Sequence, residues 1–272
     1  MLLAILALLA GGMAAAENID PDNDDSQHAW AENVGWINAE PSGDGGPGVQ
    51  VDDFELTGWM WGENVGWISL SCQNGSTCGT TDYRVLNDGS GVLSGYAWGE
   101  NIGWVNFAPA TAGVVIDVST GEFGGMAWGE NIGWITFASS GAHPFKVKAG
   151  WTCNPAPSPP AGSPILSIDK VGTDAELSWS SLAGATGYDI IEGDLGTLLS
   201  SSGDFTSATT ACLSNHRTIE SLLRPESPPP GEGVWYLVRG ENCGGKGTLD
   251  SGGAEQVDLR DAETVASGND CP

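Results

Sequence analysis

The sequence predicts an all-β protein: a Trp-rich β-repeat array, closed or nearly closed on itself, followed by a β-sandwich. Three observations carry this. A nine-residue motif recurs four times in the first half of the chain. Turn residues separate every short apolar run, in a sequence with 41 Gly and 12 Trp. A Pro-rich stretch then cuts the 272 residues into two parts, each long enough to bury its own core. Abundant Gly and aromatic residues with little amphipathic Leu patterning favour short strands and tight turns over helices.

The repeat is organised around Ala29-Trp30-Ala31-Glu32-Asn33-Val34-Gly35-Trp36-Ile37, and the first Trp recurs as Trp61, Trp98 and Trp128, after 31, 37 and 30 residues. The longest interval holds the Cys72–Cys78 loop, an insertion within one unit. A full unit reads as a strand near Gly113–Ile116, a Ser/Thr-Gly turn, and a second strand running into Ala-Trp. A turn at Gly-Glu-Asn and a third strand, Gly-Trp-Ile-x-Phe, complete it. In that last strand Trp134 and Thr136 point one way, Ile135 and Phe137 the other. The first copy lacks its leading strand, whereas Phe145-Lys146-Val147-Lys148 is left over after the fourth. The two fragments are expected to complete one unit between them, which would close the array and remove its sheet edges.

This motif resembles the Trp-Gly/Ser-Glu-Asn-Ile-Gly-Trp-Ile repeats of assorted secreted bacterial and archaeal proteins. The resemblance covers about residues 18–150 and implies an extracellular location, with no activity or ligand attached. Beyond the Pro-rich spacer, the Leu-Ser-Trp179 strand, the Gly187-Tyr188-Asp-Ile-Ile191 strand and the Trp235-Tyr-Leu-Val238-Arg strand resemble a fibronectin type III-like domain. That likeness implies that Trp179 and Tyr188 pack in the core between two sheets. The stretch from Ser200 to Pro230 looks irregular. The expected organisation is a signal peptide at 1–16, the four-copy repeat domain at 17–151, a linker at 152–164, the sandwich at 165–260 and a C-terminal tail at 261–272.

The N-terminus reads as an export signal, with an apolar run from Leu2 to Leu9 and Ala14-x-Ala16 as the cleavage site. Six cysteines in an exported chain read as disulfides. Cys72 pairs locally with Cys78. Cys153, Cys212, Cys243 and Cys271 leave three connectivities open, of which Cys212–Cys243 with Cys153–Cys271 is preferred. A formal net charge of −26 argues against nucleic acid and against anionic lipid, and favours neutral or cationic partners. No membrane insertion is expected once the signal is removed.

The repeated Trp and Glu residues admit two readings. As a ligand surface, Trp30, Trp61, Trp98 and Trp128 would stack on sugar rings, with Glu63, Glu100 and Glu130 bonding hydroxyls. As structure, equivalent positions in stacked units become neighbours, so at least one Trp per unit belongs to the core, and Trp104→Ala or Trp134→Ala should unfold the domain. The Asn of each turn is expected to sit at positive φ. Four equivalent glutamates supply four similar environments, whereas acid–base catalysis needs two different ones. Asp20-Pro-Asp22-Asn-Asp24-Asp25 looks like the start of a calcium loop. It lacks that loop's Gly and terminal Glu, and reads as a divergent repeat turn. His216 reads as a surface histidine. No catalytic motif, cofactor or metal site is expected. The sequence therefore predicts a secreted, non-catalytic surface or matrix protein whose partner is an extracellular protein or a neutral polysaccharide.

Overall fold

The computed structural model describes residues 18–41, 48–225, 228–229, 231–254, 256 and 259–272. The signal peptide assigned to 1–16 lies outside them. The chain forms two compact units, the first running to Val51 and adding Leu56–Val85 and Leu93–Thr152. The second takes Asp52–Glu55, Leu86–Val92 and Cys153–Pro272.

The first half of the chain carries β1 (His28–Ala31), β2 (Gly35–Asn38), β3 (Gln50–Val51), β4 (Glu55–Thr57), β5 (Trp59–Gly62) and β6 (Gly66–Ser69). It continues with β7 (Val85–Asn87), β8 (Leu93–Gly99), β9 (Gly103–Asn106), β10 (Val114–Ile116), β11 (Phe123–Gly129) and β12 (Gly133–Thr136). Each repeat supplies one hairpin: β1–β2, β5–β6, β8–β9 and β11–β12. Neighbouring hairpins pair through β2–β5, β6–β8 and β9–β11. The last pairing, β12 with β1, sets Thr136 against Trp30 and closes an eight-stranded antiparallel barrel. The terminal fragments meet as expected: Ile19 bridges Ala149 and Gln27 bridges Val147.

Each hairpin turns in a three-residue loop, where the Val or Ile amide donates to the carbonyl three residues back. Gly35, Gly66, Gly103 or Gly133 follows at φ between 73° and 87°, the left-handed residue such loops need. The Asn residues are not at positive φ. They act between repeats instead. Asn64 Nδ2 donates to Val34 O, Asn101 to Val65 O and Asn131 to Ile102 O. Asn33 donates to Ile132 O across the seam, completing a ring of four latches.

The barrel interior overturns the expectation that the repeat tryptophans are core. Ala29, Ala31 and Ile37, with Met60, Ile68, Ala97, Val105, Ala127 and Ile135, point inward and are at most 2% exposed. An eight-stranded barrel is just wide enough for side chains to fill, so small residues on one strand face β-branched ones on the next. Ile102 and Ile132 fold over the glycines of their own turns. A Cβ added to Gly99 would lie 2.6 Å from Ile102 Cγ1. At the far end Phe107, Phe123 and Phe137 pack together with ring centroids 5.7 Å apart. No repeat Trp is buried.

The second unit holds β13 (Leu166–Val171), β14 (Asp174–Trp179), β15 (Gly187–Asp194), β16 (Thr209–Arg217), β17 (Ser221–Arg224), β18 (Val234–Asn242) and β19 (Gly245–Lys246). Three helices join them: α1 (Leu195–Ser200), α2 (Phe205–Ala208) and α3 (Arg260–Ser267). The strands form a three-stranded sheet, β13-β14-β17, and a curled four-stranded sheet, β16-β15-β18-β19. Leu177, Trp179, Tyr188, Ile190 and Val238 make its main core, and the Trp179 and Tyr188 rings meet edge-on at 5.7 Å. The stretch from Ser200 to Pro230 is more regular than its sequence implies. It contains α2, β16 and β17, and register shifts along β16 break the alternation that marks a strand.

Three disulfides join Cys72–Cys78, Cys153–Cys243 and Cys212–Cys271. The local pair is the expected one; the other two correct the preferred connectivity. The physical reason lies in two segments taken as accessory. The Pro-rich stretch is not a free spacer, because Asn242 Nδ2 donates to Ser158 O and holds Cys153 at the end of β18. The C-terminal residues form α3, which places Cys271 beside Cys212 in a cluster with Ile191, Ala208 and Trp235. Disulfides in this number suit an oxidising compartment. Among the described residues no helix is long and apolar enough to cross a membrane.

Candidate ligand-binding site

The hairpins turn their tryptophans outward because Ala, Gly and Ile occupy the inward positions of the same strands. Trp30–Trp36, Trp61–Trp67 and Trp128–Trp134 stand edge-to-face with centroids 4.9 Å apart, and Trp98–Trp104 at 4.6 Å. The first Trp of each hairpin also faces a polar residue of the preceding one. Trp61 pairs with Asn38, Trp98 with Ser69, Trp128 with Asn106 and Trp30 with Thr136. The outcome is a belt of eight indoles on the barrel wall, interleaved with amide and hydroxyl groups. Trp36 is 48% exposed and Trp67 43%.

The belt is not uniform. Trp59 joins Trp67 in the second hairpin, and Tyr83 and Tyr96 flank Trp104 in the third. At the first hairpin, by the seam, Trp36 meets Phe145 at 5.2 Å and His28 at 6.1 Å. These rings line an open cleft of about 830 Å³, together with Asp24, Asp25, Glu63, Glu122 and Lys146. That size lies in the range of small-ligand sites. Lys146 Nζ bonds Glu122 Oε1 at 2.7 Å, and Glu122 first, then Asp24 and Asp22, hold its ammonium above the ordinary lysine value against a partial opposition from burial.

The predicted ligand residues divide. Glu63 lines the cleft and Trp30 supports it through Trp36. Trp61, Trp98 and Trp128 lie elsewhere on the belt. Glu130 is structural: its Oε2 accepts from Trp104 N, as Glu32 Oε1 accepts from Trp134 N across the seam. Glu100 is an exposed turn residue. The Asp20 loop, expected to be a divergent repeat turn, is tied by hydrogen bonds within itself. The Asp20 carboxylate accepts from Asp24 N, Asp25 N and Ser26 Oγ, and Lys148 pairs with Asp22. Repeat reasoning missed Trp36, His28, Asp24, Asp25, Phe145 and Lys146 as a group. Most of them come from the non-repeated ends of the domain, and the unmatched Phe145–Lys148 fragment was their signal. Compared with known families and with curated proteins, the chain matches none.

Proposed function

We propose that this protein is a secreted, non-catalytic binding protein of a cell surface or matrix, whose barrel takes neutral polysaccharide on its tryptophan belt. The observation that carries the reading is the outward placement of the repeat indoles. A core ladder would hide them, whereas a glycan site needs them open. Sugar C–H faces stack on indoles, and the interleaved Asn38, Asn106 and Thr136 supply partners for hydroxyls. The second unit serves as a fibronectin type III-like spacer or contact module. Its three-plus-four strand order and its buried Trp179 and Tyr188 support that reading. The disulfides and the apolar N-terminus support export.

Titration of the full chain with soluble polysaccharides, followed by intrinsic Trp fluorescence, tests the proposal. A saturable shift with one glycan is expected, and Trp36→Ala and Trp67→Ala should weaken it at least tenfold while leaving the melting temperature within a few degrees. No response across the panel, or binding unchanged in both variants, would overturn it. The belt would then be a protein-docking surface, the second reading, which its exposed aromatic area favours.

A further inference from the structure

A buried polar cluster in the second unit is unused by the reading above. β15 brings Asp189, β16 brings His216 and β18 brings Glu241, and their ligand atoms lie within 4.8 Å of one another. Asp189 is fully buried and Glu241 is 1% exposed, so His216 does not have the open surface environment its sequence implied; its side chain is only 25% exposed. The geometry points to a divalent transition-ion site of the zinc class, held by Asp189, His216 and Glu241.

The Asp189 carboxylate gives the second, independent observation. Its Oδ2 is saturated: Arg239 Nε and a terminal guanidinium nitrogen donate to it at 2.9 and 2.8 Å, with Lys246 Nζ at 3.5 Å. Its Oδ1 is buried with no hydrogen-bond partner. Buried polar atoms are nearly always paired, and an orphan marks a missing partner. His216 meets Glu241 Oε1 through Nδ1 at 2.7 Å, and its own backbone N–H donates to the same oxygen at 3.0 Å. The backbone at His216 has φ of 54°, and its ring stacks on Phe54 with centroids 4.2 Å apart.

The donor set selects the ion. Imidazole nitrogen and carboxylate oxygen are both zinc ligands, and three protein ligands leave a fourth position to solvent. Calcium takes six to eight oxygens and gains nothing from imidazole. Among the described residues, the other grouping with suitable side chains, Cys72, Cys78 and Asp82, offers no thiolate because its cysteines form a disulfide.

The full chain, freed of metal with a chelator and titrated with zinc chloride in a calorimeter, tests the assignment. One saturable site is expected, with a higher melting temperature for the second unit. Asp189→Asn and His216→Gln should each weaken binding at least tenfold, and His143→Gln should bind as the parent does. If Asp189→Asn fails to fold, His216→Gln decides, because that ring lies at the edge of the cluster. No saturable binding by the parent, or unchanged affinity in His216→Gln, would overturn the proposal.

Discussion

Alanine substitution at the four turn glycines separates backbone strain from the latch that closes the barrel. Gly35, Gly66, Gly103 and Gly133 have nearly the same φ, between 73° and 87°, so each Ala incurs a similar left-handed penalty of about 1–2 kcal/mol. Their surroundings differ. A Cβ at Gly35 meets nothing nearer than Trp30 at 3.9 Å, and one at Gly66 meets Asn101 Nδ2 at 3.5 Å. At Gly103 it would lie 2.9 Å from Glu130 Oε2, and at Gly133 it would overlap Glu32 Oε1. Relieving that overlap breaks the Glu32–Trp134 and Asn33–Ile132 bonds at the seam. Two such bonds contribute about 0.5–1.5 kcal/mol each, towards the lower end where solvent reaches them. Gly133→Ala is therefore expected to cost roughly 2–4 kcal/mol and Gly35→Ala roughly 1–2 kcal/mol. With an m-value of about 2 kcal/mol/M, their urea midpoints should differ by about 0.5–1 M. Unfolding followed through the fluorescence of the belt tryptophans reads this directly. Equal midpoints for the two variants would show that the Glu-Asn latch contributes nothing to closure, and would refute the reasoning.

Two further outcomes are expected. Replacing Cys212 and Cys271 together by Ser opens a loop of 59 residues, which by chain entropy costs about 4 kcal/mol. The second unit's urea transition should move down while the first unit's stays in place, and non-reducing peptide mapping should recover Cys153 linked to Cys243. The Asp117 carboxylate accepts from the backbone amides of Ser119 and Thr120 at 2.8 and 2.9 Å, and these bonds hold it below the ordinary 3.8. A carboxyl depressed in the folded state stabilises above its unfolded value and loses that contribution as pH falls through its folded one. The melting-temperature gap between the parent and Asp117→Asn should therefore be full near pH 6 and shrink below pH 3.8; a gap that stays constant to pH 2 would contradict the assignment.

The hairpin order and the closure of the barrel were legible because the repeat states its own period, and because its missing first strand matches a surplus fragment after the last copy. The facing of the tryptophans was not. In Ala127-Trp128-Gly129 and Trp134-Ile135, both faces of each strand are apolar, so alternation defines two sides without saying which is inside. The interior's narrow bore decides it, since Ala127 and Gly129 fit where an indole does not. That bore is a property of the closed ring and not of any one repeat. The cleft was hidden for a related reason: Asp24, Asp25, Phe145 and Lys146 lie outside the repeats, where periodicity carries no information. The disulfides were misassigned because α3 and the docking of the Pro-rich stretch, which bring Cys271 to Cys212 and Cys153 to Cys243, leave no pattern in the sequence. The buried cluster was missed for want of spacing, since Asp189, His216 and Glu241 come from three strands.

The ring of four Asn latches also bears on how this domain changes over generations. An open stack of repeats gains or loses copies at little cost, because each new unit meets an old neighbour on one side and solvent on the other. Here Asn33 binds the carbonyl of Ile132, so the first copy is also the last copy's neighbour. A fifth hairpin would have to part that junction, widen the bore and leave Ala- and Gly-lined walls without contact across the middle. Duplication events in this lineage are therefore expected to survive as whole second barrels, or as insertions in the loops between hairpins, with the number of hairpins in each ring held at four.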